Sequence, residues 1–293
     1  MLALVCFVAG GLVGWGAARG STRVQRVWPV VLRAQILATS ATLSLAAAWR
    51  LTSASQLIGP LALAAGMWVM FAEAVGTRSS RSPGEGALEA WAVVPNSGFW
   101  VVPTATAYAG SAGTMIAVLA NVITTAWGAV CVHLMRRDAP IRQRHVTSWV
   151  DQSPIVASLV GLLLHLFGPA PAWTADVLTL AGPLLAFSGA ALFMGSVIHP
   201  QNLSVPRSEH ALRRWSWLTA VRVAYFLLIV LAAALTSSNA LAVVAALSAL
   251  SAPSFQPVQL AVLYGYRSQV VVAAVRTGWL LAPFGLVLAA VVR

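Results

Sequence analysis

Lysine is absent from this chain of 293 residues, and only seven residues are acidic. The charged fraction is 9%, whereas a soluble globular domain carries roughly 25%. This composition excludes an ordinary soluble protein. The net charge of +11 does not indicate nucleic-acid binding, because the basic residues, all arginine, recur in short groups between apolar runs instead of clustering on a soluble module.

Cysteine and the common catalytic motifs are also scarce. Cys6 and Cys131 are the only cysteines, and both lie in apolar segments, which argues against a disulfide framework or a cysteine-based metal site. The acidic residues are scattered, and no HExxH, GxSxG, CxxC or Walker-type motif occurs. A serine–histidine pair stays open at this point. We therefore predict that the protein is not an enzyme and holds no metal or cofactor.

Apolar residues dominate instead, at 59% of the chain with a mean hydropathy of +0.82. A helix needs about 20 apolar residues to cross a bilayer. The sequence therefore predicts an all-α membrane protein with ten transmembrane helices, at residues 2–18, 27–48, 55–76, 88–109, 112–135, 153–168, 174–198, 215–235, 239–264 and 268–291. The first is interpreted as a retained span, because Arg19 follows its apolar core and no basic residue precedes it.

The arginines alternate along this series of spans. Thirteen lie in segments that follow odd-numbered spans, and only Arg50 and Arg293 follow even-numbered ones. Because basic residues favour the cytoplasmic side, we predict a multi-pass protein of the cytoplasmic membrane with both termini outside. The polar segment 136–152 is predicted to be a cytoplasmic connector between five-helix repeats at 1–135 and 153–293. Five is an odd number, so the two repeats are expected to have opposite orientations.

Two predicted spans carry paired prolines at matching places in the two halves. The fourth span contains PNSGFWVVP, with Pro95 and Pro103, and the ninth contains APSFQPVQL, with Pro253 and Pro257. Proline removes a backbone donor and breaks or kinks a helix. Interrupted spans at matched positions of inverted halves indicate the binding site of a transporter. The alternative is a packed kink without a functional role.

With these motifs, the chain resembles the auxin efflux carrier family of permeases, in the bile acid/auxin-type transporter superfamily. The resemblance is carried by NSGFWVVP, AVLANVITTAWG, SPIVASLVGLLLHLFG and the AP…VQLAVLYG of the ninth span. It implies two inverted five-helix repeats whose fourth and ninth helices are broken and cross at the membrane midplane. It also implies a scaffold of spans one, two, six and seven, and small organic anions as substrates.

The chain departs from the family pattern in ways that leave substrate and coupling ion open. Ser97 stands where the family has threonine, and Gln256 is the nearest residue to a family asparagine in the ninth span. The third span carries no acidic residue at mid-depth, although some members use one.

The candidate substrate-binding residues are Asn96, Ser97, Gly98, Asn121, Gln256 and Arg276. Asn96 lies 8 residues into its predicted span, which at 1.5 Å per residue is close to the midplane. Its amide can bind a carboxylate or cap the broken helix. Asn121 can complete the same cavity or form an interhelical hydrogen bond, and Gly98 would let two backbones approach closely.

Arg276 lies 8 residues into the tenth span, where it can balance an anionic substrate or extend toward the interface. For Arg33 and Arg222 we expect the side chain to extend to the interface. His165 can titrate in proton coupling, but a hydrogen-bonded packing role is favoured. Two further expectations concern packing and solvation: a core or lipid-facing position for Phe99 and Trp100, and solvated carboxylates for Glu73 and Glu89.

These observations predict a secondary transporter that moves a small organic anion, such as a mono- or dicarboxylate, by elevator-like alternating access. A proton or sodium gradient can drive it, and its partners are the lipid bilayer and, in a homodimer, a second copy. An anion channel-like pore is the alternative, followed by an intramembrane enzyme.

Overall fold

The computed structural model describes residues 2–20, 22–76, 82–139, 153–197, 209–251, 254, 266 and 269–293. All regular secondary structure within these ranges is helical. The α-helices are α1 (Leu2–Ala18), α2 (Thr22–Trp49), α3 (Ile58–Gly76), α4 (Pro83–Val93), α5 (Val102–Asp138), α6 (Ser153–Phe167), α7 (Trp173–Val197), α8 (Glu209–Leu235), α9 (Asn239–Ala249), α10 (Gln269–Thr277) and α11 (Ala282–Val291). Three short helical turns lie between them: two of 3₁₀ type, Ala54–Leu57 and Gly278–Leu281, and one of π type, Ser97–Val101.

In the part of the chain that the structure describes, four helical segments are long and apolar enough to cross a membrane: Ala54–Gly76, Ser97–Asp138, Trp173–Ala191 and Glu209–Leu235. Large apolar side chains are exposed along the helices, among them Leu166, Phe167, Leu228 and Leu235. Water would disfavour such a surface, and hydrocarbon would not. The apolar helices therefore indicate a membrane-embedded, all-helical protein.

Several predicted spans coincide with single helices. The first, third, sixth, seventh and eighth spans agree with helical segments to within a few residues at most boundaries, the largest difference being the start of α8 at Glu209 instead of 215. The predicted division between spans four and five near residue 110 is also present. Gly110 has φ 58° and ψ −149°, a backbone conformation open mainly to glycine, and it interrupts the helical dihedrals of α5.

Within the described residues, the fourth and ninth spans are interrupted, as their prolines predicted, and the tenth span carries an interruption that was not predicted. The fourth, 88–109, is divided into α4 and the start of α5 by non-helical residues 94–96. In the ninth, 239–264, the helix ends at Ala249. The tenth, 268–291, is divided by a 3₁₀ turn between α10 and α11. Hydropathy reports apolar length but not the end of an α-helical hydrogen-bond ladder, so the first two interruptions were predicted from proline and the one in the tenth span was missed.

The chain forms two compact units, each assembled from both halves of the sequence. The first unit comprises Met1–Pro60, Ser97–Val122 and Thr147–Pro200. It contains α1, α2, α6 and α7, the four helices that the family resemblance groups as a scaffold. Within it, α1 packs along α7, and α2 packs against both α6 and α7.

Small residues allow these helices to approach closely. A Cβ atom added at Gly10 or Gly14 of α1 would meet the main chain of α7, at Phe187 and Ala191 respectively. A Cβ atom at Gly161 of α6 would meet the carbonyl oxygen of Leu45. Such contacts between backbones are typical of helix pairs in membranes, where van der Waals packing replaces the hydrophobic effect.

The second unit comprises Leu61–Asn96, Ile123–Val146 and Gln201–Arg293. Within it α8 packs against α4, α9 and α10, while α9 packs against α11. Four aromatic rings form a cluster of edge-to-face pairs with centroids 5.6–6.4 Å apart: Trp68, Phe71, Trp91 and Trp127. The short helices α4 and α9 are buried along almost their whole length.

Candidate functional site

The break after α4 is specified by local sequence. The N-terminus of the helix is capped, because Ser82 Oγ accepts a hydrogen bond of 3.2 Å from the Glu85 amide and Asp138 accepts one of 3.0 Å from the Gly84 amide. At the other end Val94 is extended, with φ −60° and ψ 143°. A residue before proline is disfavoured in the α region, so Pro95 ends the helix at Val93.

The paired prolines of the fourth span have different roles. Pro95 lies in the non-helical segment, where it is buried. Pro103 is the second residue of α5, which directly follows the π-helical turn Ser97–Val101, so the helical segment Ser97–Asp138 continues through it. The prediction of a helix break at Pro103 is therefore wrong.

Helix α9 matches α4 in length and position. Each has 11 residues, and both boundaries of α9 lie 156 residues after those of α4. The same offset separates Tyr108 from Tyr264 in the sequence. Beyond α9, the fully buried Ser251 accepts a hydrogen bond of 3.4 Å at Oγ from the main-chain N–H of Asn96. The chain segments that follow these two short helices therefore meet inside the second unit.

Arg222 lies between the same two helix ends. Its Nη1 donates to the carbonyl oxygen of Val93 at 2.7 Å, and its Nε donates to that of Ala249 at 3.1 Å. These are the last residues of α4 and α9. Only 3% of Arg222 is exposed, so the expectation that its side chain extends to the membrane interface is wrong. Two helix carbonyl ends hold the guanidinium inside the unit.

The first unit contains the next part of the fourth span. Ser97 and Gly98 open the π-helical turn Ser97–Val101 and are half-buried, as is Asn121 in α5. A Cβ atom added at Gly98 would lie 3.8 Å from Asn121 Oδ1, which is ordinary contact. The structure thus brings these two predicted site residues together, although Gly98 is not required there for space.

Aromatic residues anchor this turn against other helices of the first unit. The Phe99 side chain packs directly on Gly189 of α7, where no Cβ would fit. Trp100 is 6% exposed and forms an edge-to-face pair with Phe7 at 5.5 Å between centroids. The expected core or lipid-facing position of Phe99 and Trp100 agrees with these contacts.

The predicted site residues are distributed over both units and beyond the described ranges. Asn96, which is 4% exposed, belongs to the second unit, whereas Ser97, Gly98 and Asn121 belong to the first. Pro253, Gln256 and Pro257 of the ninth span lie outside the described residues. Arg276 is part of α10, but its side chain lies outside what is described, as does that of Arg33.

Glu89 corrects a further expectation. It is 6% exposed and accepts a hydrogen bond of 3.3 Å from Arg214, which also donates to the carbonyl oxygen of Ala74 at 2.7 Å. The prediction of a solvated Glu89 is wrong, because its helix is covered on nearly every side. Glu73 is half-buried and accepts a hydrogen bond from the exposed Trp217.

His165 agrees with the favoured packing role in one respect. Its Nδ1 lies 3.2 Å from the carbonyl oxygen of Trp49, so this residue of α6 is hydrogen-bonded to the end of α2. Its half-buried ring belongs to the first unit. A role in proton coupling stays a prediction.

The role of Arg222 was missed, although the sequence carries a signal for it. Buried residues of α8 recur at intervals of four: Arg214, Leu218, Arg222 and Phe226. This is the spacing of one helix face. Placing both arginines on the same stripe as Leu218 and Phe226 would have predicted that both are buried and paired. The partners themselves, two main-chain carbonyls, have no signature in the sequence.

The chain was compared with protein-family models and with curated proteins. No protein-family model matches the chain, and no curated protein matches it either. The likeness to auxin efflux carriers therefore stays a prediction that rests on the motifs quoted above.

Proposed function

We propose that this protein is a secondary transporter for a small organic anion, such as a mono- or dicarboxylate. The observation that carries the proposal is the buried, non-helical segment after α4. Within it, the main-chain N–H of Asn96 donates a hydrogen bond to Ser251 Oγ, beyond the end of α9. The helices α4 and α9 both end within an apolar unit, and the chain segments that follow them are connected by this hydrogen bond. Non-helical backbone at membrane depth occurs only where it is buried in protein or lines a cavity, and interrupted spans at matched positions of two halves are typical of transporter binding sites.

The polar groups at the break are neutral N–H donors, which can form hydrogen bonds to an anion. Asn96 can donate from its side-chain amide, and a new helical segment begins directly after it at Ser97. Donors of this kind bind carboxylates. The proposed substrate-binding set comprises Asn96, Ser97, Gly98, Asn121, Gln256 and Arg276, of which Asn96 is the residue to test first.

The equal lengths of α4 and α9 and their offset of 156 residues support two structurally related halves. We propose that these are the predicted inverted five-helix repeats, with both termini outside the cytoplasmic membrane. Elevator-like alternating access and membership of the auxin efflux carrier family belong to the same proposal.

The first test is a ligand screen by thermal shift on the purified protein, with mono- and dicarboxylates as probes. A bound substrate should raise the melting temperature of the wild type, and Asn96→Ala should remove this rise while leaving the unliganded protein folded. Asn239→Ala is the matched control, because Asn239 is exposed at the start of α9. An undiminished shift in Asn96→Ala would overturn the assignment of the site.

The second test separates a carrier from a pore. Proteoliposomes should show saturable uptake of the stabilising anion, accelerated by the same anion on the opposite side. Ohmic single-channel current without counterflow would instead establish a channel.

A further inference from the structure

Arg222 occupies a position in the second unit that no part of the proposed substrate site uses. It lies in the interior of α8, with four buried residues before it and four after it. Its guanidinium bridges the terminal carbonyl of α4, 129 residues away in sequence, and that of α9, 27 residues away. A single side chain therefore holds the ends of both short helices.

The charges at this point are complementary. The C-terminus of a helix carries a partial charge of about −0.5, so two such ends together offer about one negative charge. A guanidinium supplies one positive charge and does not lose its proton in proteins. Among the described residues, both hydrogen bonds of the Arg222 side chain are to these carbonyls. The pair of helix ends is thus neutralised by a permanent cation of the chain itself.

In transporters with broken helices, unwound carbonyls and the C-terminal ends of half-helices are the groups that coordinate the coupling cation. Here those groups are already bound by Arg222. We propose that Arg222 is a positioning residue that acts as a built-in cation, taking the place of a monovalent metal ion at the ends of α4 and α9. The consequence for coupling rests on the proposed transport function, whereas the ion replacement itself does not.

The proposal predicts that removal of the guanidinium creates a cation site. Arg222→Ala leaves two uncompensated carbonyl ends and a space between them. Its melting temperature should therefore rise in sodium or lithium chloride relative to choline chloride at equal ionic strength. The wild type should show no such difference, because its carbonyls are occupied. The readout is ion-specific stabilisation, which a loss of packing alone would not produce.

Two further variants complete the experiment. Arg213→Ala is the matched control, since Arg213 is exposed on the same helix and should respond as the wild type does. Arg222→Lys keeps the positive charge and should retain the wild-type indifference to the cation. The proposal is overturned if sodium or lithium chloride does not raise the melting temperature of Arg222→Ala, or if it raises that of the wild type equally.

If Arg222→Ala yields no folded protein, the comparison of Arg222→Lys with Arg222→Gln decides. Lysine keeps the charge and glutamine keeps neutral donors, so the lysine variant should melt at the higher temperature. A glutamine variant as stable as the lysine variant would show that hydrogen bonding, and not charge, is what the site requires. Because none of these measurements uses a substrate, failure of the transport proposal would leave their outcome unchanged.

Discussion

Buried arginines in the second unit are compensated in two different ways. Arg214 pairs with a carboxylate, Glu89, and its side chain is 7% exposed, against 8% for its partner. Arg222 binds main-chain carbonyls at two helix ends. Both arrangements offset the cost of burying a charge, which is several kcal/mol for each ion without compensation. Each arginine therefore depends on partners that lie far away in sequence.

Glu89→Gln tests the first arrangement. The variant leaves the buried Arg214 charge with the carbonyl of Ala74 as its remaining described partner. Breaking a buried ion pair by removing one partner costs about 3–5 kcal/mol, so the free energy of unfolding should fall by roughly 3 kcal/mol. Chemical unfolding in detergent measures the change. Glu209→Gln, at an exposed position of α8, should have little effect, and an equal loss in both variants would contradict the pairing.

At the scale of helices, the first unit depends on close backbone contact between α1 and α7. Gly14 lies directly against the main chain of Ala191, whereas nothing lies within 4 Å of a Cβ added at Gly16 of the same helix. The two glycines are therefore a matched pair for testing whether contact or helix propensity decides stability.

Gly14→Ala should destabilise the protein by about 1–3 kcal/mol, because a Cβ atom against backbone forces the helices apart. Gly16→Ala should instead be neutral or stabilising by up to about 1 kcal/mol, since alanine is the better helix former. Thermal unfolding followed by tryptophan fluorescence measures both. Equal behaviour of the two variants would argue against close packing of α1 on α7.

A helix that ends within an apolar run is not detected by mean hydropathy. The run 88–109 is mainly apolar, yet α4 ends at Val93 because Val94 precedes proline. The dipeptide Val94–Pro95 is a local signal, and it could be interpreted from sequence. The continuation of the helical segment through Pro103 could not, because a proline within an apolar run favours a break or a kink.

For the whole molecule, the arginine distribution makes a prediction that does not depend on the contacts within either unit. Both termini should lie outside, so the segment after α2 should face the exterior and the end of α3 should face the cytoplasm. Ser53 and Gly76 are exposed at these two places.

This orientation can be measured with single-cysteine variants. In a chain carrying Cys6→Ser and Cys131→Ser, a membrane-impermeant maleimide should label Ser53→Cys in intact cells. It should label Gly76→Cys only after the cells are opened. The reverse pattern would show that the topology is opposite to the proposed one. Labelling of both variants in intact cells would contradict a membrane crossing by the third span.

The sequence determined the class of this protein and the positions of most of its helices. Apolar length, proline and arginine bias are local or additive properties, so composition alone indicated a helical membrane protein, and Pro95 located the break at Asn96. Gly98 and Asn121 were also selected from the sequence, and a Cβ atom added at Gly98 would lie 3.8 Å from Asn121 Oδ1.

Only the tertiary structure decided how the buried charges are compensated. Sequence placed Arg222 near an interface and Glu89 in solvent, whereas both are almost fully buried. The partners of Arg222 are carbonyl groups, which every residue carries and no sequence pattern marks. They become available only where two helices end at the same point, and that coincidence is a property of packing between distant segments.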